Sequence, residues 1–450
     1  MKRIALFSGL LALILVVLLT VAAVVLIPHR FLSSEGFRQE MNRQTNLALK
    51  GQGEWMPFRL DGWTLRSDGY DGTGSFSSYT YRVRAEHVSF KINWRALLQR
   101  TWQIDPIVVQ TLAIEVTPLA ESAPADPPTP SDEAPDIPKI ARLFIPQNVD
   151  IKAIELSDAS LVWQAADQQT YRLSDIRAKS IPDGYGAWST SVSSGVLTPP
   201  NRFSWSLNSA RLVGDLQQMQ LDHAEWLGKE AGVVKLSGPL TRDGNLQAKL
   251  NIEGRGIPAH YFTATEWKEF IEGSIDSDAT AQITAEGVTL EGEATGNSIR
   301  LVGVPVLRSM SDATGLREWT ELSLDTAWLQ FKYQPDHLEI PSSVFESKDL
   351  LRLEGNLQIR AEALSGLYQV GLAPRVVSRI PGAQITVFKL EQNGYYWAQP
   401  PMTLSGTADN PQEDLSPRMK TAIFDAVQEK LNQGVNKGLN ILDSILQQVP

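Results

Sequence analysis

Short stretches in which apolar and polar side chains alternate recur along most of this sequence, and they constrain its fold more than any other feature. In residues 246–253 and 353–361 every second residue is apolar or glycine, which gives an extended segment one apolar and one polar face. Turn signals such as Arg242–Asn245 and Asn393–Gly394 separate such stretches. The helices that parallel β-α-β units need between strands are lacking. The sequence therefore predicts a mainly β fold of antiparallel strands.

The alternation changes phase once near residue 86. Residues 79–85 alternate, and the pattern resumes in the other phase from Val88 to Trp94. One extra residue between two stretches of a strand is typical of a β-bulge. We therefore expect a bulge between Ala85 and Val88.

Composition narrows the range of functions. The chain of 450 residues has 41 Lys and Arg against 51 Asp and Glu, and the resulting net charge of −10 argues against a nucleic-acid binder. It has no cysteine, which excludes disulfides, thiolate zinc sites and a cysteine nucleophile. Its histidines are too far apart in sequence for a local metal-ligand motif. The five histidines are His29, His87, His223, His260 and His337.

Motifs for nucleotide binding or nucleophilic catalysis are also lacking. The Gly69–Gly74 segment has its glycines in the wrong order for a dinucleotide site, and it is interpreted as a hairpin turn. A pair of distant carboxylates brought together by folding, as in a glycosidase, stays open at this point. We expect no enzyme activity, no cofactor and no metal.

The first thirty residues predict a membrane anchor. The segment from Ile4 to Ile27 contains no charge, and as a helix it would be roughly 36 Å long, enough to cross a bilayer with some tilt. Lys2 and Arg3 precede it, so the N-terminus is expected in the cytoplasm and the rest of the chain outside. A cleaved signal peptide is the alternative. The residues chosen to represent the anchor are Ile4, Leu10, Leu15, Leu19, Val24 and Ile27.

Three further segments depart from the β pattern. A serine cap at residue 33 or 34 predicts a short helix that ends near Leu49. Residues 118–138 contain seven prolines and five acids without a basic residue, which predicts a mobile loop. Apolar residues near helical spacing predict a short amphipathic helix at Val306–Trp319.

The C-terminal tail predicts an amphipathic helix of about 30 residues, with Ser416 as its cap and Pro417 in the first turn. Three interpretations are open: the helix docks on the sheet, lies against a membrane or a partner, or forms a coiled-coil seam. The residues expected to contact a partner protein are Val427, Leu431, Leu439 and Leu442.

These features divide the chain into six segments. They are the cytoplasmic N-terminus and anchor (1–30), an N-terminal module (31–117), the proline-rich loop (118–138), a central β region (139–302), a C-terminal β region (303–415) and the amphipathic helix (416–450).

Several stretches, together with this layout, carry a resemblance to a known family. They are Leu26–Pro28, Leu97–Ile104, Val108–Val116, Val306–Leu316, Leu353–Ile359 and Leu404–Pro411. In them the sequence resembles the AsmA-like proteins of Gram-negative cell envelopes, the family of AsmA, TamB and YhdP. The resemblance extends over nearly the whole chain as a pattern rather than as invariant residues.

The resemblance implies an inner-membrane anchor that carries a periplasmic antiparallel sheet, curled lengthwise into a taco-like trough with an apolar lining. It implies a part in phospholipid transport to the outer membrane and in outer-membrane biogenesis. The length allows about 25 to 30 strands, and a continuous sheet of that size would extend roughly 120 to 145 Å and is expected to curl.

Alternation alone does not decide between an open lipid groove and an ordinary sandwich core. The resemblance favours the groove, with phospholipid acyl chains as its occupants. The alternative function is a non-enzymatic scaffold that binds an outer-membrane or periplasmic protein through its sheet edges and final helix. The residues expected to line the groove are Val83, Phe90, Ile92, Leu246, Leu250, Ile252, Leu357 and Ile359.

Overall fold

The chain forms two compact units, Met1–Lys229 and Glu230–Pro450. Their boundary lies inside the predicted central β region, residues 139–302. The computed structural model describes residues 32–426 and 428, apart from 77–78, 94–95, 97–100, 120–147, 166–167, 185, 201–202, 216, 244, 264–267, 285–286, 305–306, 309–310, 313–314, 381 and 408–409. The predicted anchor, residues 4–27, lies outside these residues. Within the described ranges, no helix combines the length and apolar character needed to cross a bilayer.

The first unit is mainly β, and its described part has one long helix, α1 (Glu35–Leu49). Its strands are β1 (Gly51–Trp55), β2 (Phe58–Asp61), β3 (Thr64–Phe76), β4 (Tyr79–Ile92), β5 (Thr101–Pro118), β6 (Asn148–Ile151), β7 (Ile154–Gln164), β8 (Thr170–Pro182), β9 (Trp188–Thr198), β10 (Trp205–Gly214) and β11 (Gln218–Gly228). These strands form an open sheet, and most neighbours in it are consecutive in sequence.

Most pairs in this sheet are antiparallel, as predicted. β1 and β2 pair with successive parts of β3, and β3 to β5 and β7 to β11 follow as hairpins. The predicted change of phase near residue 86 is present, but the predicted bulge is wrong, because the register of β4 with β3 and with β5 does not shift between Ala85 and Val88. Ala85 and Val88 are both buried, and His87 between them has a φ of 53°.

Two pairs depart from the prediction of antiparallel strands. β6 and β7 both run parallel to β5, and β6 begins beside Thr101, at the opposite end of β5 from Pro118. A parallel neighbour needs a connection of a dozen residues or more, which a hairpin turn does not provide. Residues 119–147 make that connection, and the predicted proline-rich loop is part of it. Nearly all of this loop lies outside the described residues.

Helix α1 confirms the predicted helix and its cap. The Phe37 backbone N–H donates to Ser34 Oγ at 3.3 Å, which satisfies one of the free donors of the first turn. Polar contacts then hold the helix against the sheet. The Trp55 backbone N–H donates to Asn42 Oδ1 at 2.7 Å, and the Tyr70 hydroxyl donates to Asn46 Oδ1 at 2.9 Å.

The interpretation of Gly69–Gly74 as a hairpin turn is wrong. The segment lies inside β3, which runs from Thr64 to Phe76. Its glycines make room for tyrosine rings, since a Cβ atom on Gly72 would lie 2.5 Å from the Tyr70 hydroxyl oxygen. Tyr70 is 3% exposed and joins α1 to the sheet, so the glycines serve packing.

The second unit is also an open antiparallel sheet. Its strands are β12 (Val233–Asp243), β13 (Asn245–Pro258), β14 (Ile271–Thr284), β15 (Gly287–Val302), β16 (Glu321–Ser323), β17 (Thr326–Gln334), β18 (His337–Ser347), β19 (Leu351–Arg360), β20 (Ala363–Leu372), β21 (Phe388–Gln392), β22 (Tyr395–Ala398), β23 (Met402–Gly406) and β24 (Pro411–Glu413). β12 to β15 and β17 to β20 pair in chain order, β16 and β17 share β15 as partner, and β22 and β23 share β20.

A covered core closes part of this second sheet. Two short helices, α2 (Pro374–Val377) and α3 (Ala383–Thr386), contribute residues that are essentially inaccessible, including Val376 and Ala383. Residues 415–426 are helical, so the helix predicted at the start of the tail is present, and Ala422 is buried in the same core. The predicted cap is wrong: Ser416 lies inside the helix, and the Glu413 carboxylate accepts from the Leu415 and Ser416 backbone N–H groups at 2.6 and 2.8 Å. A Cβ atom on Gly382 would lie 2.6 Å from the Ala422 carbonyl oxygen, so the two segments are in close contact.

The predicted helix at Val306–Trp319 is only partly described. Residues 307–308 and 311–312 are helical, and Arg317–Thr320 forms a 3₁₀ turn. Trp319 is 1% exposed and belongs to the covered core. This segment therefore packs on the second sheet, as expected for an amphipathic insertion.

Candidate functional site

The pairing register of the first unit places apolar side chains in rows that cross its strands. Residues directly opposite each other in neighbouring strands project from the same face of a sheet. One such row consists of Val83, Ile114, Leu161, Leu173, Leu197 and Trp205. All six are partly exposed. The row crosses six strands, or about 24 Å at about 4.8 Å per strand.

Two parallel rows complete this face. The first consists of Val88, Val109, Leu156, Ala178, Val192, Ala210 and Ala224. The second is apolar at both ends and polar in the middle, where the Ser180 and Thr190 hydroxyls hydrogen-bond at 2.9 Å; it consists of Phe90, Ile107, Ile154, Ser180, Thr190, Leu212 and Leu221. The other face carries ion pairs, such as Arg82 with Asp71 at 2.8 Å and Lys179 with Glu155 at 2.9 Å.

The second unit has the same arrangement, and four of the five groove residues predicted in it have described side chains. One row consists of Leu250, Ala281, Leu290, Tyr333, Leu338, Ile359 and Leu364. Leu250 and Ile359, which are 109 positions apart in sequence, thus lie on one face about 24 Å apart. Ile252 and Leu357 lie on the same face, two residues further along their strands. We call this surface the open face of the second unit.

Exposure on the open face differs from that of a closed core. Leu250, Ile252, Leu357 and Ile359 are all partly exposed, and Tyr333 in the row of Leu250 is 41% exposed. Leu357 also packs against the covered core. The intervening residues of each strand carry polar and charged groups on the other face. Leu246 lies in β13, but its side chain is outside the described residues. The predicted alternation is therefore present, with a partly accessible apolar side.

Phe90 and Ile92, which we expected on an open groove, are instead 8% and 3% exposed. They belong to a cluster closed by α1, in which the Phe37 ring lies 5.2 Å from the Phe58 ring. The sequence predicted both the helix and the strand but gave no signal that one lies over the other. Val83, in the same strand, stays partly exposed.

A pocket of about 480 Å³ lies between α1 and the first sheet. Apolar side chains of the helix, β3 to β5 and β6 line it. Two polar residues of α1, Glu40 and Gln44, also contribute. Arg43 donates to both carboxylate oxygens of Glu40, at 2.6 and 3.0 Å, and its hydrogen bonds lower the pKa of that carboxyl. Glu40 is therefore charged at neutral pH and already paired.

The second unit has a smaller apolar pocket of about 310 Å³. Its lining comes from β14 to β19 and includes Ile275, Ile299, Leu324 and Phe345. These residues lie between the open face and the covered core. Each unit thus combines an apolar face with a pocket that is large enough for part of a hydrocarbon molecule.

Among the described residues, no group of three or more His, Asp or Glu side chains is arranged to hold a metal ion. His260 contacts Glu230 at 3.1 Å, and both side chains are partly or largely exposed.

The tail residues predicted to contact a partner lie outside the described residues. They are Val427, Leu431, Leu439 and Leu442. The first part of the helix docks on the second unit through Leu415 and Ala422, which are 8% and 3% exposed.

No family model matches this sequence, and no curated protein or solved structure is significantly similar to it. The resemblance to the AsmA-like proteins therefore stays a prediction.

Proposed function

We propose that this protein is a membrane-anchored lipid carrier of the cell envelope that holds phospholipid acyl chains on the apolar faces of its sheets. The observation that carries the proposal is the row from Leu250 to Leu364, seven strands wide, in which six side chains are large, apolar and partly exposed. Large exposed apolar patches on proteins mark sites for membranes, ligands or partner proteins.

Hydrocarbon is a suitable occupant for such a face. Each methylene removed from water contributes about 0.8 kcal/mol, so an acyl chain binds favourably without any specific polar contact. The row presents similar apolar groups at every strand. An acyl chain can therefore move along it without being held in one deep energy minimum. Movement of this kind needs positioning surfaces and no catalytic residue.

The cellular setting rests on the sequence. The uncharged segment Ile4–Ile27 and the preceding Lys2 and Arg3 favour an inner-membrane anchor with the described units in the periplasm. Together with the AsmA-like resemblance, this location favours transport of phospholipid toward the outer membrane and a part in outer-membrane biogenesis.

The experiment is to identify the lipid that co-purifies with the full chain. Purification in mild detergent, followed by mass spectrometry, measures phospholipid per protein. We expect bound phospholipid in the unmodified chain and much less in Leu250→Glu and Ile359→Glu. Asn251→Glu and Gln358→Glu are matched controls, because they place the same charge one residue away on the polar face.

Folding is measured on the same samples by circular dichroism. Equal lipid content in all five proteins would contradict the proposal, as would loss of folded protein in Leu250→Glu and Ile359→Glu. A lipid-free chain that co-purifies with another envelope protein would instead favour the scaffold function.

A further inference from the structure

The pocket beneath α1 is continuous with the apolar face of the first unit. Phe90 and Ile107 line the pocket and also belong to the row that continues to Ile154 on β7. A hydrocarbon chain that lies along this row from β7 towards β4 therefore runs into the pocket. Val149 of β6, another lining residue, is 57% exposed and lies at its mouth.

The size of the pocket fits a single chain. A methylene group is about as large as a water molecule, whose share of liquid volume is about 30 Å³. The volume of about 480 Å³ thus corresponds to on the order of 16 methylenes, one acyl chain rather than two.

The polar groups of the pocket give no binding site for a charged head group. Glu40 is negatively charged, and Arg43 and Gln44 donate to its carboxylate. The rest of the lining is apolar, including Phe37 and Met41 of α1. Burial of a phosphate or a carboxylate there would leave the charge without a partner, which is costly. A methyl-terminated chain has no such cost.

We propose that this pocket is an end site that takes one acyl chain of a phospholipid, methyl end first, while the head group stays outside. The inference rests on the proposed function, because the chain must reach the pocket across the apolar face. It adds that the apolar surface of the first unit ends beneath α1, where one acyl chain of the lipid is enclosed.

Photo-crosslinking to the full chain in detergent tests the end site. The probe is a phosphatidylethanolamine with a diazirine at the methyl end of one acyl chain, compared with one that carries the diazirine beside the ester. Peptide mapping then locates the label. We expect the methyl-end probe to label the peptide that contains Met41, and the ester-side probe to label it much less.

Val149→Trp is designed to fill the mouth, and its matched control is Met56→Trp, at another exposed position of the first unit. If the substitution removes burial of about two methylenes, labelling of the Met41 peptide falls by about tenfold. Labelling of peptides that contain Leu250 or Ile359 stays unchanged. Met56→Trp changes neither.

Results of two kinds would overturn the end site while leaving the proposed function in place. One is label on the open face without label on the Met41 peptide. The other is equal labelling of the Met41 peptide by both probes, or labelling that Val149→Trp does not reduce. Absence of label from both regions would contradict the proposed function itself.

Discussion

The covered core and the open face of the second unit are built from the same kind of strand but bury their side chains to different extents. In the covered core, Val376 and Phe388 are completely buried and Leu372 is 2% exposed. On the open face, Leu250 and Ile252 alternate just as regularly and stay partly exposed. The difference in burial arises because other segments pack over one part of the sheet and not over the other. An apolar face is a closed core only where another element covers it.

The largest expected effect comes from removing the same side chain in both regions. Leu372→Ala leaves a cavity in the covered core and should lower the free energy of unfolding by about 2–5 kcal/mol. Leu250→Ala removes a partly exposed side chain and should cost about 1 kcal/mol. Urea denaturation followed by tryptophan fluorescence measures both. Equal costs would mean that the open face is packed like a core.

A second effect concerns helix α1, which covers part of the sheet of the first unit. Gly72→Ala places a Cβ atom against the Tyr70 ring that joins α1 to the sheet, and overpacking of this kind costs about 1–3 kcal/mol. Gly36→Ala is the control, because its Cβ would have no neighbour closer than 3.9 Å. Alanine is the better helix former, so this control should be neutral or slightly stabilising. If Gly72→Ala changes the free energy of unfolding no more than the control does, the packing of Tyr70 does not require glycine at position 72.

The same contrast shows how much the sequence alone could predict. Local patterns were sufficient for strands with regular alternation such as β13 and β19, for α1 with its Ser34 cap, and for the placing of Leu250 and Ile359 on one face, but they were insufficient for the glycine-rich part of β3. They were also insufficient to predict which segments pack over the sheets. Such packing depends on contacts between residues distant in sequence, such as the hydrogen bond from the Tyr395 hydroxyl to Glu346 at 2.9 Å. Phe90 was therefore assigned to an open groove although α1 closes that region.

Two features depend on how segments distant in sequence are placed together. The parallel register of β5 with β7 follows from where the chain re-enters the sheet, which the turn signals do not specify. The pocket beneath α1 needs the helix and the sheet to be placed together. A usable signal in the sequence was the pair Phe37 and Met41, one turn apart on the helix and apolar.

A smaller effect is expected at the helix cap. Ser34→Ala removes the acceptor for the Phe37 N–H, and loss of such a cap costs about 1 kcal/mol. Because α1 covers the first unit, its amides should exchange with deuterium faster in this variant, while those of β13 and β14 in the second unit stay unchanged. Exchange that increases equally in both places would show that the cap affects the whole chain rather than the cover.

A further effect is a pH dependence within the covered core. Burial, supported by the hydrogen bond to Glu346, raises the pKa of Tyr395 from near 10 to about 12. The folded state therefore favours the protonated phenol, and this stabilisation is fully present below pH 10 and is lost as the pH rises through about 12. The difference in urea midpoint between the unmodified chain and Tyr395→Phe should shrink over that interval. A difference that stays constant would contradict the shift.

Spin labelling tests directly whether the open face holds lipid, and the absence of native cysteine makes single-cysteine variants straightforward. A nitroxide at Ile252→Cys reports on the open face, and one at Asn251→Cys reports on the polar face. With lipid bound, we predict that the label at 252 is accessible to oxygen and shielded from a water-soluble nickel chelate, and that removing lipid exposes it to the chelate. The label at 251 should meet the chelate in both states. A label at 252 that stays shielded from both reagents after lipid removal would show that protein, not lipid, covers this face.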